Sequence, residues 1–100
     1  MKYNKLVRDN IPEIIKSKGD KPVTHIATSF EYDQKIREKL QEEVKEFLDS
    51  NNPEELADLL EVIYAIGGRL GVDKKSLEEL RKRKAEERGG FEEGIILEES

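Results

Sequence analysis

One hundred residues, of which 35% are hydrophobic and 41% charged, bound the chain to a single small domain, 1–100. So little apolar content strains a monomer and suits a helical protein that completes its core by pairing with copies of itself, as a homodimer or higher homo-oligomer. The formal net charge of −5 argues against a general nucleic-acid binder while leaving room for a local basic patch, the lack of cysteine excludes disulfides, thiolate zinc sites and cysteine nucleophiles, and no apolar run is long enough to span a bilayer.

The N-terminal stretch MKYNKLVRDN is too polar for a signal peptide, which makes the cytoplasm the expected compartment. Asn10 with Glu13 three residues on predicts a capping box, with Pro12 in the first turn, opening a short helix over about 11–18 that Gly19 ends. Ile11, Ile14 and Ile15 are its core-facing residues, while Lys5 and Arg8 ahead of it stay open to a phosphate role. Residues 21–30, KPVTHIATSF, are rich in β-branched types and read as an extended connector able to hold a short strand. His25 within it is read as a packing or surface residue.

From Glu31 to Asp49 the spacing of Ile36, Leu40, Val44, Phe47 and Leu48 predicts an amphipathic helix. Asn51 and Asn52 before Pro53 mark a stop and restart, with Asn52 as cap and Pro53 in the first helical position. A second long helix then runs to about Leu70 along a stripe of Leu56, Leu59, Leu60, Ile63, Ile66 and Leu70, broad enough to be buried on more than one side. So tight a turn makes the two helices antiparallel. Gly67 and Gly68 each cost about 1 kcal/mol of helix propensity, which points to a close helix approach or a loosened end, and Gly71 is the expected terminator. Asp73 or Ser76 caps a last helix to about Arg88, stopped by Gly89 and Gly90. The tail, with Phe91, Ile95, Ile96 and Leu97, is expected to dock in extended form on the body or on a partner subunit. The fold class is therefore all-α: an antiparallel helical hairpin with flanking helices, forming a four-helix bundle through homodimerisation.

Two acid pairs flank the turn. Glu43 and Glu46 form E-x-x-E before it, and Glu55 and Asp58 form E-x-x-D after it. Residues three apart share a helix face, so each pair aims two carboxylates one way, and the hairpin brings the pairs together. In a chain with 23 acidic residues such spacing also arises on a solvated face, and Lys39 stands one turn from Glu43 as an ordinary ion-pair partner. Taken together, like charges crowded against an apolar stripe are destabilising unless a cation offsets them. Mg²⁺, which takes oxygen ligands and substrate phosphates, suits the set, with Mn²⁺ as the other choice.

The blocks KLQEEVKEF and EELADLLEVIYAI resemble the all-α NTP pyrophosphatase superfamily that includes MazG, dimeric dUTPases and phosphoribosyl-ATP pyrophosphohydrolases. KLVRDNIPEII and KAEERGGFEEGIIL are similar to its small house-cleaning subgroup, so the resemblance covers nearly the whole chain. It departs in the spacer, only eight residues from Glu46 to Glu55, which is shorter than in many relatives. The resemblance implies Mg²⁺ on Glu43, Glu46, Glu55 and Asp58, and hydrolysis of a nucleoside triphosphate to a monophosphate and pyrophosphate. Glu42 or Glu43 is then the candidate proton acceptor. Lys5, Arg8, Arg81, Lys84 and Arg88 are candidates for the phosphates, Lys82 and Arg83 reading as solvated, and Phe91 for packing on a base. Phosphoribosyl-ATP as the substrate, or a non-catalytic dimerisation module, are the other readings.

Overall fold

The computed structural model describes residues 4–100; residues 1–3, the start of the polar N-terminal stretch, lie outside the described residues. The described residues form four helices and no strand: α1 (Ile11–Ser17), α2 (Ser29–Ser50), α3 (Pro53–Arg69) and α4 (Lys74–Arg88). None is long and apolar enough to cross a membrane.

The turn between α2 and α3 is built as its residues dictate. Asn51 takes the left-handed conformation, φ 55°, that asparagine tolerates at a helix end, and its N–H donates to the Phe47 carbonyl at 2.7 Å. Asn52 is extended, its side-chain oxygen accepts from the Glu54 N–H at 3.0 Å, and Pro53 follows at the first helical position. The two long helices consequently pack against one another, with Ile36 of α2 and Val62 of α3 the only buried large apolar side chains among the described residues, 5% and 7% exposed.

The open end of this hairpin is closed by charge. Arg69 donates to Asp33 at 2.8 Å and also to the Ser29 hydroxyl, and its guanidinium lies 5.2 Å from the centre of the Tyr32 ring. The bond from Arg69 holds the Asp33 carboxyl below its ordinary range. Beyond Arg69 the chain folds back: the Val72 N–H donates to the Gly67 carbonyl at 2.8 Å, and Gly71 takes φ 77° to make the bend. The α4 helix, capped by Asp73 rather than Ser76, packs on α3 alone.

Several expectations are corrected. Asn10 forms no side-chain cap, because its own backbone is already helical at φ −88°, ψ −4°, and a cap needs the extended conformation; the Ile11 N–H is instead met by the Arg8 carbonyl at 3.1 Å. The connector at 21–30 forms no strand, and Thr28 starts α2 early by accepting from the Glu31 N–H at 3.2 Å. The stripe on α3 is less buried than expected: Leu56, Leu60, Ile63 and Leu70 stay exposed within one chain, and Val62, outside that stripe, is the buried residue. The tail does not dock on the body of its own chain, since Phe91 is 98% exposed and Ile95, Ile96 and Leu97 are exposed as well.

The two glycines of α3 separate cleanly. A Cβ on Gly67 would lie 2.9 Å from the Val72 carbonyl oxygen, a backbone atom held by its own turn, whereas one on Gly68 meets nothing within 4 Å. Gly67→Ala should lower stability by about 1–3 kcal/mol through this overpacking, and Gly68→Ala should raise it by about 0.5–1 kcal/mol through helix propensity. Urea melts of the two variants check the opposite signs.

Candidate metal centre

The hairpin register decides which acids are desolvated. Glu43 follows Ile36 by two helical turns on the same face of α2, so the contact that buries Ile36 also buries Glu43, which is 5% exposed. Glu55 and Asp58 begin α3 and, half-buried, face it across the hairpin; Glu42 is half-buried and Glu46 exposed. Two overlapping groups result, Glu42 with Glu43 and Glu46, and Glu43 with Glu55 and Asp58. Within each group, one oxygen from every carboxylate lies within 4.8 Å of the others, and Glu43 belongs to both.

Among the described residues three cations meet these charges. Lys39 reaches Oε1 of Glu43 at 3.3 Å and Oε2 of Glu42 at 3.5 Å, Lys5 reaches Oε1 of Glu42 at 3.1 Å, and Arg8 donates to Oδ1 of Asp58 at 2.7 Å. The remaining oxygen of Glu43, Oε2, is buried with no hydrogen-bond partner among the described residues. An unsatisfied buried carboxylate oxygen is costly. Burial, joined by the charges of Glu46 and Asp58 and opposed by Lys39, pushes the Glu43 carboxyl above the ordinary range. Burial likewise pushes Glu55 up, with Asp58 and Glu43 adding to it. At Glu42 burial acts upward too, but the bond from Lys5 and the charge of Lys39 outweigh it and the carboxyl is held low.

The donor set fits a hard divalent cation. It is all oxygen, it carries more negative charge than Lys39, Lys5 and Arg8 neutralise, and its buried Glu43 Oε2 lacks a partner among the described residues. Beside it a cleft of about 560 Å³ runs between the segment 6–14 and the two long helices. Leu6, Ile11, Ile14, Tyr32, Ile36 and Val62 give it an apolar wall, and Arg8, Lys39, Glu43, Asp58 and Glu61 its charged one.

Of the residues singled out from sequence, the fold brings Glu42, Glu43, Glu46, Glu55, Asp58, Lys5 and Arg8 together. It does not bring the others to this cleft within one chain. Arg81 is paired with Glu78 of its own helix at 2.6 Å, and Lys84, Arg88 and Phe91 lie on or beyond α4, outside the cleft lining. Lys39 was legible only as an ion-pair partner through its i, i+4 spacing, and Glu61 was passed over although it continues the row Glu55, Asp58 at the same spacing. Comparison with protein-family models, curated proteins and solved structures gave no match.

The sign of the Glu43 shift gives a test. A carboxyl that binds its proton more tightly folded than unfolded lowers stability above the raised folded value and ceases to do so below the ordinary 4.5. Glu43→Gln should therefore raise the melting temperature of the metal-free protein near neutral pH by about 4–8 °C, the equivalent of about 1 kcal/mol in a domain of this size. That gain should vanish as pH falls toward the ordinary glutamate range. Added Mg²⁺ should raise the melting temperature of the wild type near neutral pH and leave Glu43→Gln with a smaller response. Thermal melts of both proteins across pH, with and without Mg²⁺, read out each difference.

Proposed function

We propose that the chain is a Mg²⁺-dependent nucleoside triphosphate pyrophosphohydrolase of the MazG-like superfamily, releasing pyrophosphate and a monophosphate, with removal of damaged or non-standard nucleotides as its work. The carrying observation is the convergence of two acid pairs on the buried Glu43, whose Oε2 has no partner among the described residues. Glu43, Glu46, Glu55 and Asp58 would hold the metal, which when bound neutralises phosphate charge and lowers the pKa of a water. The bond formed is from the water oxygen to the α-phosphorus, the bond broken is to the oxygen bridging toward the β-phosphate, and the pyrophosphate leaves with that oxygen.

The chain's own residues supply the rest. Glu42, whose carboxylate Lys5 and Lys39 hold ionised and which is not one of the four metal-holding acids, suits the role of proton acceptor. Arg8 and Lys5, now engaged with Asp58 and Glu42, stand where phosphate oxygens would arrive beside those acids. The same ion pairs favour a second reading, a non-catalytic dimerisation module that keeps its acids for salt bridges.

A homodimer that completes a four-helix bundle belongs to the proposal. One copy buries almost no large apolar side chain, leaves Leu48, Leu56, Leu60, Ile63 and Leu70 exposed on the hairpin, and has a radius of gyration of 17.5 Å. A compact domain of this length has about 13 Å. A second copy laid on that face would supply the missing core, and the exposed tail of one chain would have a surface to cover on the other. Light scattering should give twice or more the 11.5 kDa chain mass, and Leu60→Glu should shift the population toward single chains.

Pyrophosphate release should be measured on standard, deaminated, oxidised and deoxy nucleoside triphosphates and on phosphoribosyl-ATP, with and without Mg²⁺. Release is expected from at least one of them, only with metal, and the substrate hydrolysed fastest separates house-cleaning from phosphoribosyl-ATP hydrolysis. Glu43→Ala and Asp58→Ala should each lower kcat by about 10²-fold or more. No release from any substrate by the folded, metal-supplied protein would leave the non-catalytic module standing.

A further inference from the structure

Glu61 lies one helical turn past Asp58 on α3, so Glu55, Asp58 and Glu61 form one row. The first two meet Glu43 in the acid cluster and Glu61 does not, yet Glu61 lines the same cleft. It has no hydrogen bond or ion pair among the described residues. We infer that Glu61 accepts hydrogen bonds from the sugar hydroxyls of the nucleotide and makes the site prefer ribonucleotides to deoxyribonucleotides. This rests on the nucleotide reading above.

Order along the cleft carries the argument. From Asp58 the helix rises about 4.5 Å to Glu61, in the direction of the buried pair Ile36 and Val62, which also line the cleft. A nucleotide has the same order: phosphate, then sugar, then base. With the α-phosphate at the acid cluster, the sugar falls beside Glu61 and the flat, largely apolar base beside Ile36, Val62 and Tyr32. A carboxylate outside the metal-holding set yet so close to the phosphates repels them unless it serves another group, and an ionised carboxylate can only accept hydrogen bonds. The 2′ and 3′ hydroxyls are the donors a nucleotide presents between phosphate and base, and acidic side chains hold ribose hydroxyls in this way in dinucleotide sites.

Calorimetric titration with each of the four ribonucleoside monophosphates and its 2′-deoxy counterpart, in the presence of Mg²⁺, tests this without requiring turnover. The wild type should bind at least one ribonucleotide about tenfold more tightly than its deoxy form. Glu61→Ala, with an unchanged circular dichroism spectrum, should bring the two within about twofold, and Glu61→Gln, which keeps an acceptor, should retain part of the difference. The same ratio in the wild type and Glu61→Ala, or binding of no monophosphate, overturns the inference. A preference that Glu61→Ala removes, in a protein that releases no pyrophosphate from any triphosphate, upholds the sugar contact and overturns the hydrolytic reading instead.

Discussion

Burial of Glu43 follows from the way the hairpin is closed. A connection of two asparagines gives α2 and α3 one way to meet, side by side and antiparallel, and that contact is centred on Ile36 and Val62. Glu43 shares a helix face with Ile36, and Glu55 and Asp58 lie on the Val62 side of α3, so the packing that forms the small core also withdraws a carboxylate from water and sets others against it. Stability and chemistry therefore draw on one contact. Any change that loosens it also separates the acids.

The charge balance is asymmetric, and the asymmetry is informative. Lys39 rises from the same helix as the acids it meets, whereas Lys5 and Arg8 come from a segment that joins the hairpin through ion pairs and the apolar side chains of the cleft. Ion pairs between partly exposed groups contribute little to stability. The N-terminal segment is thus held weakly where its cations meet the acid cluster.

Much of this was legible in the sequence because local rules and tertiary packing agree. Asn51, Asn52 and Pro53 each occupy the position their backbone preferences favour, and the E-x-x-E and E-x-x-D pairs converge because the turn leaves their helices no other arrangement. The failures share a different cause. Asn10 has the right neighbour for a capping box, but a preceding turn had already fixed its backbone, which spacing cannot report. Glu61 carries no mark in the sequence beyond its spacing from Asp58, and only the cleft distinguishes it. Arg81 kept its place on a basic face, yet Glu78 one turn earlier takes its guanidinium. The exposed leucines of α3 read as core because their stripe is real, although a single chain offers them nothing to pack against.

The separations along the chain also set an order in time. The α2–α3 contact joins neighbouring helices through a tight turn, and such local contacts form quickly because little loop entropy is lost before they are made. The ion pairs of Lys5 and Arg8 span 37 and 50 residues and must wait for a surface to close upon. Folding therefore assembles the acid cluster before two of the three cations that meet it among the described residues arrive. Until they do, the nascent hairpin carries a concentrated negative field with Lys39 alone against it, and dissolved divalent ions are the counter-charge at hand.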